Sequence, residues 1–226
     1  MEVITLVVGP QQTNCYLLVD EATQKTIIVD PADEADFIST TILEKKLIPE
    51  AILLTHGHYD HCLGTLELKL NFNIPIYLHQ DDIFLYNNAN KSASYWNSSL
   101  RGSTPTRQSP SIKLPSIDFF LKDNQIINFG ESSLNVIHTP GHTPGSCCFL
   151  TSPSDICDLR SGISLFTGDT FFASGAGAAD RSYSSKSDLQ KSTKKISSIC
   201  YLNPETAIYP GHEEYGFYLT NSLEES

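Results

Sequence analysis

The 226-residue sequence is poor in basic residues, and this shortage limits the partners that the protein can have. It contains 15 lysines and arginines against 26 aspartates and glutamates, which gives a formal net charge of -11. An excess of negative charge repels the phosphate backbone of nucleic acids. We therefore expect no nucleic acid among its partners.

The sequence also has neither a long apolar run nor an N-terminal targeting segment. Crossing a bilayer takes roughly 18 or more consecutive apolar residues, and no stretch of this sequence approaches that length. The first residues, Met1 to Ile4, carry no basic group ahead of an apolar segment, as a secretory signal would. We therefore expect a cytoplasmic protein with no membrane partner.

The six cysteines lack the C-x-x-C spacing that is typical of many zinc and redox sites. Reduced, mostly buried thiols are the expectation, as in other cytosolic proteins. Cys62 needs separate consideration because it directly follows a cluster of histidines. A small buried residue at the start of a helix is one interpretation, and a metal ligand is the other.

What the sequence does contain is a dense group of metal-binding side chains at residues 55–61, T-H-G-H-Y-D-H. Imidazole and carboxylate groups bind zinc and similar divalent metals. In an extended loop His56 and His58 point to the same side, whereas the adjacent Asp60 and His61 diverge. This pattern indicates two metal ions rather than one.

Three later segments share one design with this cluster, since each has a short apolar strand, a turn with glycine and then a metal-binding side chain. They present His142, Asp169 and His212. Glycine beside each of these residues allows the backbone to turn sharply. If the strand ends lie at one edge of the molecule, all seven side chains converge and leave room for water, as in a catalytic metal centre.

The two remaining histidines have a less distinctive setting. His79 follows a predicted strand, and we expect no second ligand near it. His138 lies inside a predicted strand, just before the turn that carries His142. We interpret both as packing residues or as residues that support a ligand.

Residues 87–117 differ in composition from the rest of the chain, because they are rich in asparagine, serine and threonine and contain three prolines. A loop of this length inside a domain is usually functional or mobile. We predict a loop that forms a lid or a substrate wall over the metal site, with Tyr95 and Trp96 as its anchors. A solvent-exposed insertion is the alternative.

Four segments in this order resemble the signature of the metallo-β-lactamase superfamily: T-H-G-H-Y-D-H, T-P-G-H-T-P-G-S, F-T-G-D-T-F-F and Y-P-G-H. Within that superfamily the sequence is more similar to the glyoxalase II-like hydrolases, as T-N-C-Y-L-L near the start, I-V-D-P at 28–31 and P-I-Y-L-H at 75–79 indicate. Only 14 residues follow His212. The chain therefore resembles the short members, which lack a C-terminal helical domain that helps to bind glutathione.

The resemblance implies an α+β fold, the four-layer αββα sandwich, in a single domain over residues 1–226. It also implies two divalent metal ions, with zinc expected and iron or manganese as alternatives. Six residues would hold the metals in two groups of three, and a seventh would bridge them. The first group is His56, His58 and His142, the second is Asp60, His61 and His212, and the bridge is Asp169. Asp30 would orient a ligand histidine.

The reaction that the resemblance implies is hydrolysis of a small-molecule thioester, such as S-lactoylglutathione or a related hydroxyacyl thioester. Two divalent cations that share one water lower its pKa toward neutrality, so a bridging hydroxide could attack the carbonyl carbon. Catalysis would depend most on His58, Asp60 and Asp169. Arg181 would bind a substrate carboxylate, and an ordinary surface arginine is the alternative.

Three other functions remain open at this point. A persulfide dioxygenase has a similar set of motifs but uses one iron. A lactonase or β-lactamase is a further enzymatic alternative. A non-catalytic binding module could keep the fold, although such a relative would be expected to lose ligands, and all seven positions are filled here.

Overall fold

The first half of the chain builds a six-stranded sheet whose strands lie side by side in chain order. The computed structural model describes residues 1–101, 113–152 and 162–219. The strands are β1 (Glu2–Val8), β2 (Thr13–Val19), β3 (Lys25–Val29), β4 (Ile48–Leu53), β5 (Ile76–His79) and β6 (Phe119–Leu121). Strands β1 to β3 are antiparallel and β3 to β6 are parallel. The carboxyl ends of β3, β4 and β5 therefore meet at one edge.

The second half builds another six-stranded sheet, in the order β14-β13-β10-β9-β8-β7. Its strands are β7 (Ile126–Phe129), β8 (Ser132–His138), β9 (Cys147–Ser152), β10 (Ser164–Gly168), β13 (Ala207–Pro210) and β14 (Phe217–Tyr218), and a separate hairpin consists of β11 (Phe171–Phe172) and β12 (Gly175–Ala176). Strands β10 and β13 are parallel, and β8 and β10 both run antiparallel to β9 between them. The carboxyl ends of β8, β10 and β13 therefore also share one edge.

Helices cover the outer faces of both sheets. They are α1 (Ala35–Glu44), α2 (Tyr59–Cys62), α3 (Thr65–Phe72), α4 (Ile83–Arg101) and α5 (Lys186–Leu202), and a 3-10 turn, Gln80–Asp82, precedes α4. Successive side chains of a strand point to opposite faces, so Leu17 of β2 packs on the helix side and Leu18 packs between the sheets. On the outside of the second sheet, Leu165 packs with Ile196 of α5. These three apolar layers confirm the predicted α+β fold, a four-layer αββα sandwich.

The segment that follows the histidine cluster forms two short helices, α2 and α3, with a break at Leu63 and Gly64. The backbone N–H of Gly64 donates to the carbonyl oxygen of Pro31 at 2.9 Å. A Cβ atom at Gly64 would lie 2.8 Å from the same oxygen. The close contact with the end of β3 places the break at a glycine.

The loop predicted over residues 87–117 is wrong in its first part, because α4 continues to Arg101. Tyr86, Ala89 and Ala93 are buried, and their spacing of three and four residues is that of a helix face packed on the core. Two of these residues are alanines among asparagines and serines, so the apolar stripe is faint in the sequence. Residues 102–112 of the predicted lid lie outside the described residues, and residues 113–117 form no helix or strand.

The described cysteines, Cys15, Cys62, Cys147, Cys148 and Cys200, are buried and form no disulfide, and Cys157 lies outside the described residues. Burial raises the pKa of the Cys62 thiol well above its usual value, which disfavours the thiolate that a metal would need. Across residues 1–101, 113–152 and 162–219, none of the helices is both long enough and apolar enough to cross a bilayer.

Candidate metal centre

Seven side chains converge where the two sheets bring their carboxyl ends together. The loop after β4 and the short helix α2 carry the first four of them, and the turns after β8, β10 and β13 carry the others. The seven are His56, His58, Asp60, His61, His142, Asp169 and His212. The sequence predicts this set, and the structure brings all of it together.

The first group combines two loops from opposite sheets. His56 Nε2 lies 2.9 Å from His58 Nδ1, and His142 Nε2 lies 3.1 Å from the same Nδ1 atom. These three nitrogens and a carboxylate oxygen of Asp169 are close enough to hold one metal ion. Nitrogen atoms that face one another at such distances repel through their lone pairs unless a proton or a cation lies between them.

The second group lies beside the first. His61 Nε2 and His212 Nε2 are 3.2 Å apart, and Asp60 Oδ2 lies 3.6 Å from His212 Nε2. These residues also form a set that could hold a metal ion. Asp60 and His61 are adjacent in α2, and this short helix turns them away from His56 and His58.

Asp169 lies between the two groups and faces each with a different oxygen. Its Oδ2 atom is 3.5 Å from His142 Nε2 in the first group, and its Oδ1 atom is 3.5 Å from His61 Nε2 and 3.7 Å from His212 Nε2 in the second. Oδ1 is buried and has no hydrogen-bond partner. A buried carboxylate oxygen without a partner is costly, and a cation bound between the groups would satisfy it.

In every histidine of the centre, the outward nitrogen, which is the ring nitrogen on the side away from the other candidate ligands, forms a hydrogen bond with another group. The partners are the Thr55 hydroxyl for His56, the Tyr183 hydroxyl for His58, the Asp30 carboxylate for His61, the Ala178 carbonyl for His142 and the Gln11 carbonyl for His212. Such contacts fix the ring orientation and the tautomer of a metal ligand. The inward nitrogens are consequently left to point at the metal positions.

Asp30 holds the loop of the first cluster as well as a histidine. Its Oδ2 atom lies 3.0 Å from His61 Nδ1, and Oδ1 accepts a hydrogen bond from the backbone N–H of Thr55 at 2.7 Å. Asp30 itself has a φ of 49°, a left-handed conformation in which aspartate is more common than most residues. This turn directs the carboxylate from the end of β3 toward the centre, as the resemblance implies.

In the metal-free site the pKa shifts of neighbouring histidines have opposite directions. Burial and the neighbouring His142 lower the pKa of His58 to about 3, and burial lowers the pKa of His56 well below its usual value. At His61 burial works in the same direction, but the carboxylates of Asp169 and Asp30 outweigh it and raise the pKa to about 10. Imidazole nitrogens around a carboxylate are the donor set that divalent zinc or iron prefers. The residues present therefore fit two metal ions.

A cavity of about 590 Å³ opens beside this centre. His58, Asp60, His142 and Asp169 line it on the metal side. The remaining wall comes from the start of the chain, from the loop after β4 with α2, from α4 and from the segment after β12, through Gln11, Gly57, Tyr59, Leu85, Ser92, Ala178, Asp180, Arg181 and Tyr183. This volume is in the range of small-molecule sites.

Of the residues predicted to contact substrate, Arg181 lines the cavity. Its side chain is 46% exposed, and its Nε atom lies 3.6 Å from the Asp180 carboxylate. Tyr95 lies on α4, is 66% exposed and is not among the lining residues. The side chain of Trp96 lies outside the described residues.

The prediction that His79 has no potential ligand nearby is wrong. The rings of His79 and His138 stack with their centroids 4.2 Å apart and their planes at 9°, and Asp81 lies beside them. Strands β5 and β8 belong to different sheets, so the sequence does not reveal this pair. Because the rings are nearly parallel, their in-plane lone pairs do not converge on one point.

Tyr183 is a residue of the site that the sequence analysis does not identify. Its hydroxyl lies 2.8 Å from His58 Nε2, and its ring packs edge-on against Phe84 of α4. Burial raises the pKa of this phenol, so the hydroxyl keeps its proton at neutral pH. The motif R-S-Y-S gives no signal of this contact, since Tyr183 reaches His58 across 125 residues of sequence.

Comparison with known proteins gives a consistent result. A model of the metallo-beta-lactamase superfamily matches residues 8–212. The probable polyketide biosynthesis zinc-dependent hydrolase PksB of Bacillus subtilis (strain 168) is 31% identical over 198 residues, which cover 88% of this chain and 72% of PksB. The hydroxyacylglutathione hydrolase GloC of Haemophilus influenzae is 29% identical over 211 residues, 90% of this chain and 87% of GloC. The crystal structure of TTHA1623 in a di-iron-bound form has a TM-score of 0.75 and 31% identity, covering 94% of this chain and 93% of that one.

Proposed function

The chain belongs to the metallo-beta-lactamase superfamily of metal-dependent hydrolases, and from that premise we propose that it is a binuclear thioester hydrolase. The observation that carries the proposal is the position of Asp169, whose two oxygens face two separate ligand groups and whose buried Oδ1 lacks a hydrogen-bond partner. A mononuclear centre would need only the first group. Two complete groups on either side of one carboxylate favour two metal ions.

The donor set of nitrogen and oxygen atoms suits zinc and also iron or manganese. Bound divalent cations would lower the pKa of a water molecule toward neutrality and polarise the substrate carbonyl. Support for either metal comes from the relatives, since PksB is described as zinc-dependent and TTHA1623 binds two irons. We propose zinc as the metal of this chain.

The protein's own residues would position the substrate. Leu85 and Ser92 of α4 offer one wall of the cavity, and Arg181 also lines it, so its guanidinium can pair with a carboxylate of the substrate. With a metal ion on His58 Nδ1, His58 would donate its Nε2–H to the Tyr183 hydroxyl, and the Tyr183 O–H could then donate into the cavity. The cavity therefore suits a small acyl thioester that carries an anionic group, such as a hydroxyacyl thioester.

Thioester hydrolysis has further support from one relative. GloC is a hydroxyacylglutathione hydrolase, and the match covers most of both chains. Hydrolysis of S-lactoylglutathione or a related hydroxyacyl thioester is therefore the reaction to test first. It releases a carboxylic acid and a thiol, and the thiol is readily measured with a chromogenic disulfide.

The test combines metal analysis with a substrate panel. We expect about two metal ions per chain and release of thiol from hydroxyacyl thioesters, and we expect His58→Ala to reduce kcat by at least about 1,000-fold. His79→Gln is the matched control, because His79 lies outside both ligand groups. One iron per chain with oxygen consumption on a persulfide would instead identify a dioxygenase. Turnover of lactones alone would identify a lactonase, and protein that binds no metal would support a binding module.

A further inference from the structure

Asp82 is a buried carboxylate next to the metal centre that none of the proposed chemistry uses. It ends the 3-10 turn after β5 and is fully buried. A buried charge is stable only when hydrogen bonds replace its lost hydration. Three donors surround it: the backbone N–H of Gly57 at 2.8 Å, the hydroxyl of Thr143 at 2.7 Å and the backbone N–H of Gly145 at 2.7 Å.

These donors belong to the two loops that carry the first group of ligands. Gly57 stands between His56 and His58, and Thr143 directly follows His142. The first loop leaves β4 in one sheet and the second leaves β8 in the other. One carboxylate therefore connects two loops that no shared strand pairing holds together.

The glycines in both loops are needed for this contact. A Cβ atom at Gly57 would lie 2.6 Å from the backbone carbonyl oxygen of Asp82, and one at Gly145 would lie 2.7 Å from its Cγ atom. Both distances are far below van der Waals contact. The glycines in T-H-G-H and T-P-G-S thus leave the space that Asp82 occupies.

The second group of ligands has different supports. His61 is held by Asp30 and His212 by the carbonyl oxygen of Gln11, and Asp60 precedes His61 in α2. None of the three donors to Asp82 adjoins these residues in sequence. A substitution of Asp82 should therefore weaken metal binding by the first group of ligands and leave binding by the second group unchanged.

We infer that Asp82 is a positioning residue for the first metal site, where it sets the separation between the His56–His58 loop and the His142 loop. The inference rests on the proposed binuclear centre. In the Asp82→Asn variant one of the three donors faces an amide N–H instead of an oxygen. The loops are then free to separate, and the three inward nitrogens no longer converge.

The test measures the metal affinity of each site separately in full-length protein, by competition with a chromogenic zinc chelator. A His212→Ala background disables the second site and reports on the first, and a His58→Ala background does the reverse. We expect Asp82→Asn to weaken zinc binding about 10- to 100-fold in the His212→Ala background and to leave it unchanged in the His58→Ala background. Asp81→Asn is the matched control, because it removes the same charge from an exposed neighbour in the same turn.

Equal weakening in both backgrounds would show a general structural role and overturn the inference, as would no weakening in either. If Asp82→Asn does not fold, Thr143→Val removes a single donor and should give a smaller loss with the same preference for the first site. A Thr143→Val variant with unchanged affinity at that site would also overturn the inference. Failure of the binuclear proposal can be distinguished from failure of this inference. Parent protein that binds only one zinc would contradict the binuclear proposal, and the effect of Asp82→Asn on the first site could still be measured.

Discussion

Each histidine of the centre is fixed by two contacts, one on each ring nitrogen. A threonine hydroxyl, a tyrosine hydroxyl, a carboxylate or a backbone carbonyl contacts the outward nitrogen, and the inward nitrogen faces the other candidate ligands. The outward partner decides which nitrogen keeps its proton, and this choice is a prerequisite for metal binding. The chemistry of the site is therefore set by residues beyond the seven ligands.

At His61 this arrangement predicts that metal binding releases a proton. The neighbouring carboxylates outweigh burial and raise the pKa of His61 to about 10 in the metal-free protein, so the ring is charged at pH 8, whereas a metal ligand must be neutral. We expect uptake of two metals at pH 8 to release about one proton, measured by isothermal titration calorimetry in two buffers with different ionisation enthalpies. A binding enthalpy that does not depend on the buffer would contradict this.

The contact between Tyr183 and His58 predicts a selective loss of metal affinity in Tyr183→Phe. The substitution removes the hydroxyl that accepts the Nε2–H of His58 at 2.8 Å, and loss of such a partner typically weakens metal binding about 10-fold or more. Competition with a chelator measures the effect. The control is Tyr201→Phe, which changes an exposed tyrosine of α5 and should bind metal with the affinity of the parent protein. Unchanged metal affinity in Tyr183→Phe would show that the contact does not orient His58.

At the scale of elements, the centre depends on the direction in which strands run. Parallel strands place their carboxyl ends at one edge, and β3, β4, β10 and β13 each deliver a residue of the site from that end. The short strands and their following turns are readable in the sequence as apolar runs that end at glycine or proline. The sequence predicts these elements well because each is bounded by residues with strong local preferences.

Helix α4 is the element that sequence reasoning misses, and it forms one wall of the cavity. Its polar composition indicates a loop, but burial of two small alanines against the core stabilises the helix. Tertiary packing of this kind overrides weak local propensity.

The position of α4 predicts that Ser92→Trp narrows the substrate cavity without affecting metal binding. Ser92 lies two turns after Leu85 on the same face, and both line the cavity. We expect kcat/KM for the larger thioesters to fall about 10-fold or more relative to the smallest, with metal content unchanged. Ser94→Trp places the same bulk on an exposed face of α4 and should have little effect on kcat/KM. Equal decreases of kcat/KM in both variants would argue against α4 as a wall of the substrate cavity.

At the scale of the whole molecule, the two metal ions would bind to residues from both sheets and so link them. Ligands that bind only the folded state stabilise it by about 4 kcal/mol at a thousandfold excess over Kd. For a chain of this length, 1 kcal/mol shifts the unfolding temperature by roughly 2–4 °C. Metal removal by a chelator should therefore lower the unfolding temperature by roughly 10 °C, as measured by calorimetry. An unchanged temperature would argue against metals held by both sheets.

The metal-free protein should lose stability as the pH falls below about 6.5. The pKa values of His56 and His58 are depressed in the folded state, chiefly by burial, so between about pH 6.5 and pH 3 the unfolded chain binds protons that the folded chain does not. Stability then decreases with decreasing pH. At His61 the folded pKa is raised to about 10, so its contribution is complete below pH 6.5 and is lost as the pH rises toward 10. Thermal unfolding with chelator present should give a maximum near pH 6.5, and a flat profile would contradict these shifts.

The sequence by itself determined the family, the sandwich fold and the set of seven side chains. These features are carried by local patterns: histidine and aspartate at fixed spacing, with apolar strands before them and glycine beside them. Such patterns are readable because each concerns residues that are neighbours in the chain. The resemblance to the metallo-beta-lactamase superfamily rests on the same motifs, and the comparisons confirm it.

Only the tertiary structure decided how these side chains are arranged and supported. The Tyr183 contact to His58, the Asp82 contact to both loops and the stack of His79 on His138 each join residues at least 25 positions apart. Such contacts depend on which strands are neighbours and on how the two sheets face each other. No local preference encodes that information, so the candidate ligands are visible in the sequence, whereas the residues that hold them in position are visible only in the fold.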